Sequence, residues 1–127
     1  MNMSLEYLEM QVESASHGQR LIMLHDGLMK FARVAIRAID EGNYAMASQN
    51  LVYAENIALH LRSSLVHDQA PDLVQNLEHL YSYWYLKLLE ANQQKSTEII
   101  RELLPLVQQM RDAWSSVEEQ LNREGNE

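Results

Sequence analysis

A chain of 127 residues with no cysteine and a formal net charge of −8 meets firm limits at once. Its length suits one domain that buries roughly two thirds of its unfolded surface. Missing cysteines exclude disulfides, thiolate metal sites and thiol catalysis. The acidic balance disfavours nucleic acid and anionic membranes as partners, because both bind through cations.

The N-terminal stretch carries no Lys or Arg before Arg20, and its longest apolar run, Leu21 to Leu24, is too short for a signal-peptide core or a membrane span. A soluble cytoplasmic protein without membrane insertion is expected. Residues 1–15 hold a brief apolar pattern of Leu5, Leu8 and Val12, too short to be a stable helix alone. They are read as a flexible or short helical segment. Two roles fit it: Leu5, Tyr7, Leu8 and Val12 cover an apolar groove in place of a ligand, or the segment is a loosely packed helix extension.

Residues 16–122 carry four helical patterns and no β-branched alternation. Ser16 to Gln19 has the Ser-x-x-Gln form of a capping box and opens a helix to about Glu41. Gly42 suits the left-handed position that ends a helix, and Asn43 can cap the next, which runs to about Val66. His67 to Asp72 reads as a turn with Pro71 placed for a first helical turn. The third helix reaches about Asn92, and Ser96 or Thr97 caps a fourth that ends near Asn122. Pro105 interrupts that helix, removes the bond to the Arg101 carbonyl and predicts a kink there. Residues 123–127 are expected to form a disordered tail. Four long helices with short connections make an all-α, antiparallel up-down four-helix bundle.

The helix faces are unequal. Ile100, Leu103, Val107, Met110, Trp114, Val117 and Leu121 form a narrow seam on the fourth helix. Tyr44, Ala47, Leu51, Ala54, Ala58, Leu61 and Leu65 form another on the second, with Met46, Tyr53 and Ile57 as an apolar strip beside it. On the first helix the apolar residues from Leu21 to Ile39 span an arc of roughly 200°. On the third, Leu73, Leu77, Leu80, Tyr81, Trp84, Tyr85, Leu88 and Ala91 fill roughly 160°. That wheel puts Tyr81 and Trp84 in the core and Tyr85 at its edge, and turns Tyr83 outward among Asn76, His79, Lys87 and Glu90. Two accounts fit the surplus apolar width: a thick core with rim aromatics, or a surface groove for a partner helix.

Enzymatic constellations are sparse. No Glu-x-x-His pair of a di-metal bundle occurs, and no nucleophile elbow or phosphate-binding glycine loop. The five histidines are scattered, with only His60 and His67 spaced to share a helix face. The stretch His60-Leu-Arg-Ser-Ser64 is superficially similar to a histidine phosphotransfer bundle. It lacks the glycine that admits a response regulator, and His60 beside Leu61 reads as a core-rim residue. No catalytic role, metal or cofactor is assigned.

Five stretches occur in order: "LIMLHDG" at 21–27, "AIDEGN" at 38–43, "LVYAENIALHLRSSL" at 51–65, "LEHLYSYWYLKLLEAN" at 77–92 and "MRDAW" at 110–114. Together, over about residues 5–118, they resemble the flagellar secretion chaperone family FliS, export chaperones of flagellin. The family usually has Leu-Tyr-Asp-Gly where this chain has Leu24, His25, Asp26 and Gly27. It often has a Ser-Pro-Glu-Glu entry where Ser16 to Gln19 stand. The resemblance implies a four-helix bundle without enzymatic activity. It also implies binding of the disordered C-terminal segment of flagellin in apolar grooves before type III export, with handover to the export gate. With the apolar strips above, it makes Tyr7, Leu24, Asp26, Met46, Tyr53, Ile57, Tyr83 and Tyr85 the candidate partner-binding residues.

Overall fold

A computed structural model describes residues 17–65 and 70–125. Helices α1 (His17–Asp40), α2 (Tyr44–Ser63), α3 (Pro71–Gln94) and α4 (Thr97–Gly125) form the all-α four-helix bundle expected. Ser16, residues 1–15 and His67 lie outside the described residues.

Local chemistry sets the helix ends. The Asn43 side chain accepts a hydrogen bond from the Met46 amide at 3.2 Å and opens α2. Gly42 stands just before it with φ +76°, where a Cβ would be strained. Pro71 occupies the first turn of α3, whose missing N–H costs nothing there. Lys95 ends α3 in the left-handed region at φ 50°, and the Ser96 hydroxyl accepts from the Ile99 amide to open α4. Both flanks of α2 therefore end within three residues of the expected places. At the other end α4 runs through Gly125, so Arg123 to Gly125, expected in a loose tail, complete its last turn.

Each helix packs on its two neighbours in the order α1–α2–α3–α4 and back to α1, and α3 and α4 approach each other least. The core contains Leu24, Leu28, Phe31 and Ala35 of α1, Leu51, Ala54, Ile57 and Leu61 of α2, Tyr81, Trp84 and Leu88 of α3, and Ile100, Leu103 and Val107 of α4. Alanines at positions 47, 54 and 58 let α2 come close to its neighbours.

Periodicity named the faces correctly but not how far along each helix burial extends. On α4 the seam is buried only at Ile100, Leu103 and Val107. Met110 and Trp114 are half-buried, and Val117 and Leu121 are exposed. On α2 Tyr44 is exposed, and on α3 Leu73 is exposed while Val74 takes its place inside. These residues stand near helix ends, where fewer neighbouring side chains remain to cover them.

A polar chain crosses the core. The Trp114 indole N–H donates to the Tyr81 hydroxyl at 3.1 Å, and Tyr81 Oη lies 3.3 Å from His25 Nε2. His25 Nδ1 lies 2.6 Å from the Leu21 carbonyl oxygen. A consistent reading has Nδ1 protonated and donating to Leu21, with Nε2 accepting from the Tyr81 hydroxyl. His25, Tyr81 and Trp84 also meet edge to face, with ring centroids 5.0 to 5.7 Å apart. His25, which replaces the usual tyrosine of the resembled motif, is thus a fully buried core residue.

Candidate functional site

The loosest seam of the ring is open on its outer side. Tyr83 and Lys87 of α3, with Ile99, Glu102, Leu103 and Leu106 of α4, line a shallow groove. Its apolar rim is exposed: Tyr83 is 46% accessible, and Leu106 on the facing helix is 39%. Leu86, one helical turn along from Tyr83, is 60% exposed and widens the apolar border.

Helical spacing continues the apolar character of both walls toward the start of α3 and the end of α4. On α4, Ile99, Leu106, Met110, Ala113 and Val117 recur at intervals that keep them on one face. On α3, Leu73, Leu80, Tyr83 and Lys87 do the same. Two facing helix flanks of this kind can receive a third amphipathic helix, whose apolar residues descend between them. Charges stand at the border: Lys87 pairs with Glu90 at 3.2 Å and holds its ammonium 5.7 Å from the centre of the Tyr83 ring. That cation–π contact pairs two residues of the same wall.

The expected partner-binding residues divide. Tyr83 lines the groove, and its outward direction places it there. Tyr85 is half-buried against the core, at the edge where the wheel put it. Met46 is exposed at the start of α2. Tyr53 is half-buried with its ring 5.0 Å from that of Phe31, so it seals the α1–α2 seam, and its hydroxyl accepts from Gln49. Ile57 and Leu24 are corrections: at 1% and 5% exposure both are core residues and offer no surface to a partner. The Asp26 carboxylate is held at 3.0 Å by Arg111 of α4, tying α1 to α4 away from the groove. That bond stabilises the charged guanidinium and raises its pKa. Tyr7 lies outside the described residues.

His60 is also placed differently than expected. It is exposed on the solvent side of α2, because Ala58 and Leu61 take the inward positions around it. The groove residues that sequence reasoning missed include Ile99 and Leu106. Their signal was present as apolar positions on the flanks of two helices, but it becomes legible only once those helices are known to be neighbours.

The family model described as "Flagellar protein FliS" matches residues 1–121. The flagellar secretion chaperone FliS of Bacillus subtilis (strain 168) is 32% identical over 108 residues, covering 85% of this chain and 80% of the relative. The protein of the same name from Escherichia coli (strain K12) is 34% identical over 108 residues, with 84% and 79% covered. That of Salmonella typhimurium (strain LT2) is 29% identical over 111 residues, with 87% and 82% covered.

Proposed function

This chain belongs to the flagellar protein FliS family, and on that premise we propose that it holds the C-terminal segment of flagellin in the cytoplasm until export. The family supports the coarser role of flagellar export chaperone. The observation that carries the finer one is the small cleft between α3 and α4, whose walls leave Tyr83 and Leu106 exposed above Ile99.

The physics of such a client suits the groove. A segment destined to be an amphipathic helix in a filament exposes an apolar stripe when free, and that stripe aggregates unless covered. Seating it between α3 and α4 removes the stripe from water without any chemical step. The segment orders as it binds, so part of the interaction energy is spent on folding, and a long contact surface is needed to leave useful affinity. The apolar positions that continue along the flanks of both helices would provide that length. Handover to a component of the export gate completes the proposed role. Family membership favours this reading over phosphotransfer through His60.

Calorimetric titration of a flagellin C-terminal peptide into the full chain tests it. A one-to-one complex with a negative heat-capacity change is expected. Tyr83→Ala and Leu106→Ala should each weaken binding by more than about 1 kcal/mol, roughly fivefold in Kd. Met46→Ala, on a different flank, should change it far less. If both groove variants bind like the parent while Met46→Ala does not, the client site lies on α2.

A further inference from the structure

The outward face of α1 carries a concentration of cations. Of ten Lys and Arg residues in the sequence, Lys30, Arg33 and Arg37 fall within eight positions, spaced by three and four so that they share a helix face. All three are exposed. Among the described residues none of their side chains has an ion-pair or hydrogen-bond partner. The acidic residues of the same helix are engaged elsewhere: Asp26 is held by Arg111 and Asp40 by Arg101, both from α4. The free charge of α1 is therefore positive, on a protein whose net charge is −8.

The same residues frame an apolar floor. Lys30, Arg33 and Arg37 line a surface cavity with Val34 and Ile36, both half-buried. We propose that this face is a docking surface for an acidic amphipathic helix of a partner protein. Carboxylates at matching three- and four-residue intervals meet the three cations, and an aliphatic side chain beside them rests on Val34 and on the methylene stems of Lys30 and Arg37. Nucleic acid fits less well: phosphate binding rests on many cationic contacts, the protein's net field repels a polyanion, and the aliphatic floor would go unused. Because α1 and α3 occupy opposite corners of the ring, a helix docked here leaves the Tyr83 groove open. Client and acidic partner can be held together.

The test is fluorescence anisotropy on the full chain with a labelled synthetic helix carrying Glu at positions i, i+3 and i+7 and Leu at i+4. Saturable binding is expected that weakens with added salt. Arg33→Glu/Arg37→Glu, both solvent-facing, should keep the parent melting temperature and weaken binding roughly tenfold or more. A peptide with Gln in place of Glu should lose binding to a similar degree. Tyr83→Ala/Leu106→Ala should leave it unchanged, which separates this surface from the client groove. Equal binding by the charge-reversed protein overturns the proposal. So does preferential binding of a single-stranded oligonucleotide or an anionic phosphatidylserine vesicle. A third contrary result is a gain in peptide affinity on replacing Glu6, Glu9 and Glu13 by Gln, which would assign the face to the chain's own acidic N-terminal segment.

Discussion

His25 shows how one residue sets a property of the whole fold. Burial pushes its pKa below the usual 6.5, while the bond to the Leu21 carbonyl and the nearby Asp26 carboxylate pull the other way and Arg111 adds to the lowering. Below about pH 6.5 the unfolded chain therefore takes up a proton that the folded chain resists. Stability from this site is fully present above that value and is lost as pH falls through it. Glu55 acts with the opposite sign in a more acidic range: burial raises its pKa above 4.5, so the folded state takes the proton first and acid relieves its cost. The melting temperature should thus fall as pH is lowered from about 7 to about 5.5, and His25→Phe should flatten that dependence. Equal slopes for the two proteins would mean that another group controls it. Tyr81, its hydroxyl pushed up to about 12 by burial, stays neutral throughout and keeps its place in the chain of bonds from Trp114.

At the scale of elements, punctuation was legible and coverage was not. Gly42, Asn43, Pro71 and Ser96 each act through their own backbone or side chain, so their roles can be read without knowing what surrounds them. Ile57 and Tyr83 depend on neighbours. A helical wheel gives each a direction relative to the core, but a groove is made from the flanks of two helices, and which helices adjoin is a tertiary fact. Tyr83 looked polar-sided on its own helix and becomes a groove wall beside α4. Pro105 poses a local question of the same kind. It is exposed within α4, which continues on both sides of it. The Arg101 carbonyl there loses its helical donor, so replacing Pro105 by Ala should stabilise the protein by about 2 kcal/mol. That figure is the helix-propensity gain of about 3 less about 1 for the freer unfolded chain. Urea denaturation midpoints check it, and an unchanged or lower midpoint would mean that the restricted backbone of Pro105 outweighs the missing hydrogen bond.

For the whole molecule, binary patterning and short connections were enough to specify a four-helix bundle, since few other arrangements bury four amphipathic stripes of this length. The closed order of contacts is uneven, however. Three seams are tight, and α2 and α3 are tied further by Ser48 to Asn92 at 3.0 Å and Arg62 to Ser82 at 3.3 Å. The fourth seam, between α3 and α4, is the looser one and faces outward. Patterning could not show this, because the apolar residues that leave a groove open are the same kinds that would close it.

The uneven burial along α4 also grades its local opening free energy. From Thr97 to Val107 each turn is anchored by a buried side chain, whereas beyond Trp114 none is. Separating the last turns from the bundle exposes little new apolar surface and so costs much less than global unfolding. Amide hydrogen exchange should accordingly accelerate stepwise along the helix, with Leu103 to Val107 exchanging near the global rate and Val117 to Arg123 far sooner. Uniform protection to the end would show that something beyond the described core clamps it. Graded protection would make the terminal turns a compliant margin that adjusts to an incoming client while the anchored turns hold the groove wall in place.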